Sequence, residues 1–107
     1  MKELNKTLQR VAKEGKVRFP VIESKEFLQT SVDALDLDVR SSNSLKRTKI
    51  YTVEDILMNK NELHKIRGCG SKSISRIMYG ICVYHYLHLA EQEKKTYLEE
   101  LIKLNED

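Results

Sequence analysis

The sequence has no tryptophan, one proline and only four glycines among its 107 residues. A fold made of many tight turns needs more of the residues that turn the chain, so a turn-rich all-β architecture is excluded and a mostly helical one is favoured. The two cysteines, Cys69 and Cys82, form no CxxC pair, and no signal-like stretch precedes them. The expectation is reduced thiols in a cytoplasmic protein. The most apolar stretch, Ile77 to Leu89, includes Tyr and His and is too short and too polar to span a bilayer. No Walker sequence, no GxGxxG and no convergent nucleophile and base occur, so neither an enzyme nor a bound cofactor is expected. Cys82, His85 and His88 recur every three residues. They lack a fourth metal ligand, and ordinary helix packing accounts for them.

What is present is charge and short apolar repeats. A third of the residues are charged, 40% are hydrophobic and the net charge is +3. That suits a globular protein with one small core. A mildly basic balance permits nucleic-acid binding without demanding it, so the placement of the bases decides. Leu4, Leu8 and Val11 define a narrow helical stripe, with Gly15 as its stop between Lys13 and Lys16. Residues 16–24, KVRFPVIES, read as an extended linker because Val17, Phe19 and Val21 alternate around Pro20. Ser24 is a cap for a short turn through Phe27 and Leu28.

From Val32 onward several short helices are predicted. The first runs from about Arg40 to Thr48 and buries Val39 and Leu45. Thr52 and Asp55, at capping-box spacing, open a second over Ile56 and Leu57; Asn59 and Glu62 start a third carrying Leu63 and Ile66. A longer helix follows Gly70 with Ile74, Ile77, Met78 and Ile81 on one face, and Gly80 within it points to close packing or a bend. Tyr97, Leu98, Leu101 and Ile102 belong to the same helix continued or to a separate one; the i,i+4 pair Glu91 and Lys95 favours continuity.

Two stretches carry candidate chemistry. In IRGCGSKS, residues 66–73, Gly68 and Gly70 permit unusual backbone and leave it bare just before a helix begins. That first turn has unpaired N–H groups and the positive end of the helix dipole, with Lys72 beside it and Ser71 or Ser73 as hydroxyl donors. The spacing is that of a helix-hairpin-helix motif, and equally that of a plain glycine turn. Cys69, at the same place, is either a thiol activated by the dipole and Lys72 or, more simply, a small hydrophobe filling the turn. In VRSSNSLKR, residues 39–47, Arg40, Asn43, Ser44, Lys46 and Arg47 can share one polar helix surface. Arginine suits a narrow minor groove and lysine a phosphate, although a solvated charged face reads the same way.

Together the two stretches resemble the C-terminal domain of the bacterial RNA polymerase α subunit. The matching residues are Val32, Leu35, Leu37, Val39, Arg40, Ser41, Asn43, Leu45, Lys46 and Arg47, then Ile50, Thr52 and Val53, then Lys65, Ile66, Arg67, Gly70, Lys72 and Ser73. The resemblance implies a compact bundle of short helices with a helix-hairpin-helix arrangement that binds the minor groove of A+T-rich promoter DNA. It implies Arg40 in the groove, Asn43, Lys46, Gly70, Lys72 and Ser73 along the contact, Lys65 at its margin, and Asp33 and Asp36 on an acidic surface that meets sigma factor. The sequence departs from the family at Ser44, where cysteine is common, at Arg76, often acidic, at Gly68-Cys69, usually Asn-Leu, and at Ala34, within the acidic surface.

The resulting expectation is an all-α, freestanding protein. It has an N-terminal helix and linker over 1–30, a helix-hairpin-helix domain over 31–81, and a C-terminal helical extension over 82–107 that packs on the core or a partner. The DNA-binding residues are Arg40, Asn43, Ser44, Lys46, Lys65, Gly68, Gly70, Lys72, Ser73 and Arg76, and the partner is double-stranded DNA. The alternative is a protein-interaction module that docks sigma factor, activator or polymerase, or a homodimer joined through Tyr97, Leu98, Leu101 and Ile102.

Overall fold

The computed structural model describes residues 2–12 and 17–106. The expected Gly15 stop, with Lys13 and Lys16, lies outside them. The α-helices are α1 (Lys2–Val11), α2 (Lys25–Leu28), α3 (Val39–Arg47), α4 (Val53–Met58), α5 (Ser71–Leu87) and α6 (Glu91–Asn105), with 3-10 helices at Val32–Leu35 and Lys60–Lys65. Among the described residues there is no strand, only an isolated antiparallel bridge between Ser31 and Thr52. The fold is all-α, as the scarcity of turn formers predicts. The protein divides into two compact units, Ile22–Ile81, and Met1–Val21 with Cys82–Asp107.

In the unit Ile22–Ile81, helices begin where side chains take up the orphan N–H groups of the first turn. Ser24 Oγ accepts from Phe27 N–H at 3.2 Å, and Asp38 Oδ1 accepts from Ser41 N–H at 3.3 Å. The Thr52–Asp55 capping box forms as predicted: Asp55 N–H donates to Thr52 Oγ1 at 3.1 Å, and Thr52 N–H donates to Asp55 Oδ2 at 3.2 Å. Asn59 does not cap the helix that follows it. Its Nδ2 instead donates back to the Asp55 carbonyl at 2.7 Å, closing the end of α4. The next segment tightens into a 3-10 helix that buries Leu63. Both α2 and this 3-10 helix pack on α4, and Val32, Leu45, Val53, Ile56, Leu63 and Ile77 are fully buried.

Two details of this unit correct or sharpen the expectation. Val39 is 75% exposed rather than buried. The helix starts one residue early, on the Asp38 cap, so the inward positions fall to Ser41, Ser44 and Leu45. Gly80 marks a close approach: a Cβ there would lie 2.9 Å from Leu37 Cδ2 and 3.4 Å from the Leu35 carbonyl oxygen.

In the other unit, α1 packs against α6. Leu4 and Leu101 are fully buried in a cluster with Cys82, Tyr86 and Tyr97. The Tyr97 hydroxyl and Cys82 Sγ are hydrogen-bonded at 3.2 Å, and burial raises the pKa of both groups. Asn105 ties down the extended segment after α1: its Oδ1 accepts from Arg18 N–H at 2.8 Å and its Nδ2 donates to the Arg18 carbonyl at 2.9 Å. The C-terminal extension is not one continuous helix. It breaks over residues 88–90, where the Glu93 carboxylate accepts from Ala90 N–H and starts α6. Glu91 pairs with Lys94 at 3.2 Å, not with Lys95, and Lys94 lies over the Tyr86 ring. His85 meets the Tyr97 ring edge-on, and His88 stacks on Tyr84. No helix among the described residues is long and apolar enough to cross a membrane.

Candidate nucleic-acid interface

The α3 face is set by its small residues. Ser41 and Ser44 are buried, 2% and 1% exposed, beside the fully buried Leu45. Arg40, Asn43 and Arg47, at helical spacing on the other side, are exposed. The Ser41 hydroxyl and N–H, with the charge of Arg76 nearby, hold the Asp38 carboxyl at the head of the helix below its usual range. At the far end Lys46 and Arg47 suit the negative end of the dipole.

The hairpin is a tight turn over residues 66–69. Cys69 N–H donates to the Ile66 carbonyl at 3.0 Å, and Gly68, at φ +84°, supplies the positive φ that a type II turn needs at its third position. Gly70 does not share this conformation. It is exposed, a Cβ on it would meet nothing within 4 Å, and its carbonyl accepts from Ile74 N–H in the first turn of α5. That first turn contains no acidic residue. Cys69 is buried, and burial raises its thiol pKa. Burial of Cys69 fits the reading of it as a small hydrophobe filling the turn.

Gly68 brings the hairpin against α3. A Cβ on Gly68 would lie 3.1 Å from Ser44 Oγ, 3.9 Å from Arg40 Nε and 3.9 Å from Arg47 Nη2. Arg47 Nη2 donates to Ser44 Oγ at 3.2 Å and to the Arg67 carbonyl at 3.4 Å, linking the two segments directly. The result is an open groove of about 730 Å³ lined by Arg40, Asn43, Ser44, Lys46, Arg47, Arg67 and Gly68. Residues 39–53 and 63–81 contain no acidic residue, so nothing on these two segments cancels their charge.

Five of the residues singled out in the sequence, Arg40, Asn43, Ser44, Lys46 and Gly68, line this groove; Lys65, Gly70, Lys72, Ser73 and Arg76 do not. Ser44 is corrected as an exposed hydroxyl: it is buried and occupied by Arg47, so it holds a neighbour instead of offering itself to a ligand. Lys46 is ion-paired to Asp33, which also accepts from Ser42 Oγ at 3.4 Å. Lys65 is paired to Glu62 at 2.8 Å. Lys72, Arg76 and Asp36 are exposed and Ser73 is half-buried. Arg47 and Arg67 are groove residues that the candidate set omits. The signal for Arg47 lay in its spacing, seven residues after Arg40 and so on the same helix face.

Comparison with known proteins agrees with this architecture. A family model for the C-terminal domain of the bacterial RNA polymerase alpha subunit matches residues 21–79. The protein is 45% identical over 53 residues to the DNA-directed RNA polymerase subunit alpha of Syntrophomonas wolfei, covering 49% of its own length and 17% of that subunit. It is 31% identical over 86 residues to the same subunit of Borreliella afzelii, covering 78% and 25%, and 44% identical over 59 residues to that of Malacoplasma penetrans, covering 54% and 18%. It thus spans a quarter or less of the length of these relatives. No solved structure matches it. Because the family match takes in more than half of its residues, this protein belongs to the family of the C-terminal domain of the bacterial RNA polymerase alpha subunit.

Proposed function

We propose that this protein binds double-stranded DNA in transcription, setting the α3 face and the hairpin against phosphates that flank a minor groove. The observation that carries the reading is the convergence of Arg40 and Gly68, remote in sequence, on one acid-free groove. Arg40 enters the minor groove, where A+T-rich sequence narrows the walls and deepens the negative potential. Asn43 bonds to sugar or base edge, and the bare backbone at Gly70 with Lys72 and Ser73 takes a phosphate at the start of α5. No contact within the protein requires a glycine at position 70, which supports an approach from outside. Lys65 and Arg76 add charge at the margin. Asp36 is exposed and open to a basic patch on sigma factor, an activator or polymerase, whereas Asp33, though exposed, would first have to give up Lys46.

A homodimer through Tyr97, Leu98, Leu101 and Ile102 finds less support, because Tyr97 and Leu101 are already buried in the protein's own core. The test is a titration of A+T-rich and random duplexes at two salt concentrations. Arg40→Ala is expected to lose most of its affinity for the A+T-rich duplex, while Lys72→Ala weakens both duplexes alike. Wild-type affinity in the Arg40 variant at low salt would refute the reading.

A further inference from the structure

Arg47 is held in a way that a solvated surface arginine is not. Both of its protein partners, the Ser44 hydroxyl and the Arg67 carbonyl, are neutral acceptors. They fix the guanidinium but leave its charge uncancelled and most of its five N–H donors unused. Arg47 Nη2 and Arg40 Nε each lie 3.9 Å from the point that a Gly68 side chain would occupy. The two nitrogens are therefore separated by no more than twice that distance. Both positive groups line the open groove beside Gly68, which carries no side chain to obstruct it. None of the residues lining the groove is a carboxylate.

We infer that the open groove beside Gly68 holds a phosphate site in which Arg47 grips a DNA backbone phosphodiester next to the minor groove that Arg40 enters. This rests on the DNA-binding reading and deepens it by assigning separate tasks to the two arginines. Arg40 reads groove shape, and Arg47 grips the strand whatever its sequence. Ser44 is a positioning residue: its buried hydroxyl aims the guanidinium, and a larger side chain at 44 would push against the hairpin at Gly68. A phosphodiester suits the site because its free oxygens can accept charge-assisted hydrogen bonds from the N–H donors that Arg47 leaves unused. Holding Arg47 in place before binding lowers the ordering cost when the strand arrives.

The experiment measures binding of the full-length protein to A+T-rich and G+C-rich duplexes of equal length across a salt series. Wild type, Arg40→Ala, Arg47→Ala and Arg47→Gln are compared. Glutamine removes the charge but keeps a polar, hydrogen-bonding side chain, so it covers the case in which alanine fails to fold. Loss of one phosphate contact should lower the slope of log affinity against log salt by about 0.9 on both duplexes. The advantage of wild type over the Arg47 variants should therefore shrink roughly 3.5-fold between about 50 and about 200 mM salt. An unchanged slope in Arg47→Gln, with Arg40→Ala still impaired, overturns the phosphate site and leaves the DNA-binding reading standing. A loss confined to the A+T-rich duplex also overturns it, since that would make Arg47 a reader of groove shape. If neither arginine matters, both readings fall together.

Discussion

The two glycines that bracket Cys69 should respond oppositely to the same substitution. Gly68→Ala forces an L-residue to φ +84°, which costs about 1–2 kcal/mol in backbone strain. Its new methyl group lands 3.1 Å from Ser44 Oγ. Ser44 is only 1% exposed and its hydroxyl is engaged by Arg47, so it has little room to yield. Moving it off its rotamer costs about 0.5–1.5 kcal/mol, and the reduced freedom of the unfolded state returns about 0.4–1 kcal/mol. The net loss is about 2 kcal/mol, a large share of the stability of a small domain. Gly70→Ala meets none of these obstacles: its φ is not positive and a Cβ there contacts nothing. Stability should stay the same or rise by as much as about 1 kcal/mol. Urea unfolding followed by far-UV circular dichroism should lower the midpoint of Gly68→Ala by roughly 0.7–2 M and leave Gly70→Ala at or above wild type. DNA affinity of the well-folded Gly70→Ala should nevertheless fall by roughly tenfold or more, the value of one hydrogen bond to a charged oxygen. Equal destabilisation by the two alanines would show that the glycines share one structural task, and the division between them would be wrong.

Two further outcomes test the framework. Leu101→Ala, at a fully buried position in the α1–α6 cluster, should cost about 2–5 kcal/mol; a loss under about 1 kcal/mol in the same urea experiment would mean that this cluster is not packed as described. Asp55→Ala removes a carboxylate that accepts from Tyr51 N–H and Thr52 N–H and should cost about 1 kcal/mol at neutral pH. Those bonds, the Tyr51 N–H first, depress the folded pKa of Asp55. Its contribution is therefore complete above the unfolded value of about 3.9 and lost as pH falls through the depressed folded value. Wild type and Asp55→Ala should converge in stability only below about pH 4; a constant difference down to about pH 2 would refute the assignment.

Most decisions that depend on near neighbours were legible in the sequence, the Asn59 cap excepted. The Ser24 cap, the Thr52–Asp55 box and the glycine turn at residue 68 were all legible because each forms within four residues. Those that tertiary contacts decide were not. A Glu91–Lys95 pair is worth only about 0.3–0.5 kcal/mol. That is too little to keep α5 running when folding back buries Tyr97 beside Cys82 and Tyr86. Apolar patterning also predicted Val39 inside α3, because it takes for granted that core positions are apolar. Here two serines hold those positions: both are small and buried, and the Ser44 hydroxyl is satisfied by Arg47.

Ser44 also explains why half of the candidate site was legible and half was not. Resemblance assigns roles position by position, and it drew attention to Arg40, Asn43 and Gly70. It matches Arg47 but gives it no role, because that role depends on a contact between Ser44 and the hairpin that no linear motif encodes. That contact needs two small residues in register, since a side chain on Gly68 or a longer one at Ser44 would hold the hairpin off α3. Helical spacing sets Arg40 and Arg47 on one face of α3, and the hairpin leaves them in a groove with no carboxylate to offset them. At a separation near the upper bound set by the geometry, their repulsion is on the order of 0.5 kcal/mol in water and about 2 kcal/mol at an effective dielectric near 20. A free protein tolerates such a penalty only if packing elsewhere exceeds it, and the six fully buried side chains of this unit, each contributing about 1.5–3 kcal/mol, do so. The apolar core thus makes possible a charged surface that is unfavourable alone and becomes favourable on meeting a phosphate.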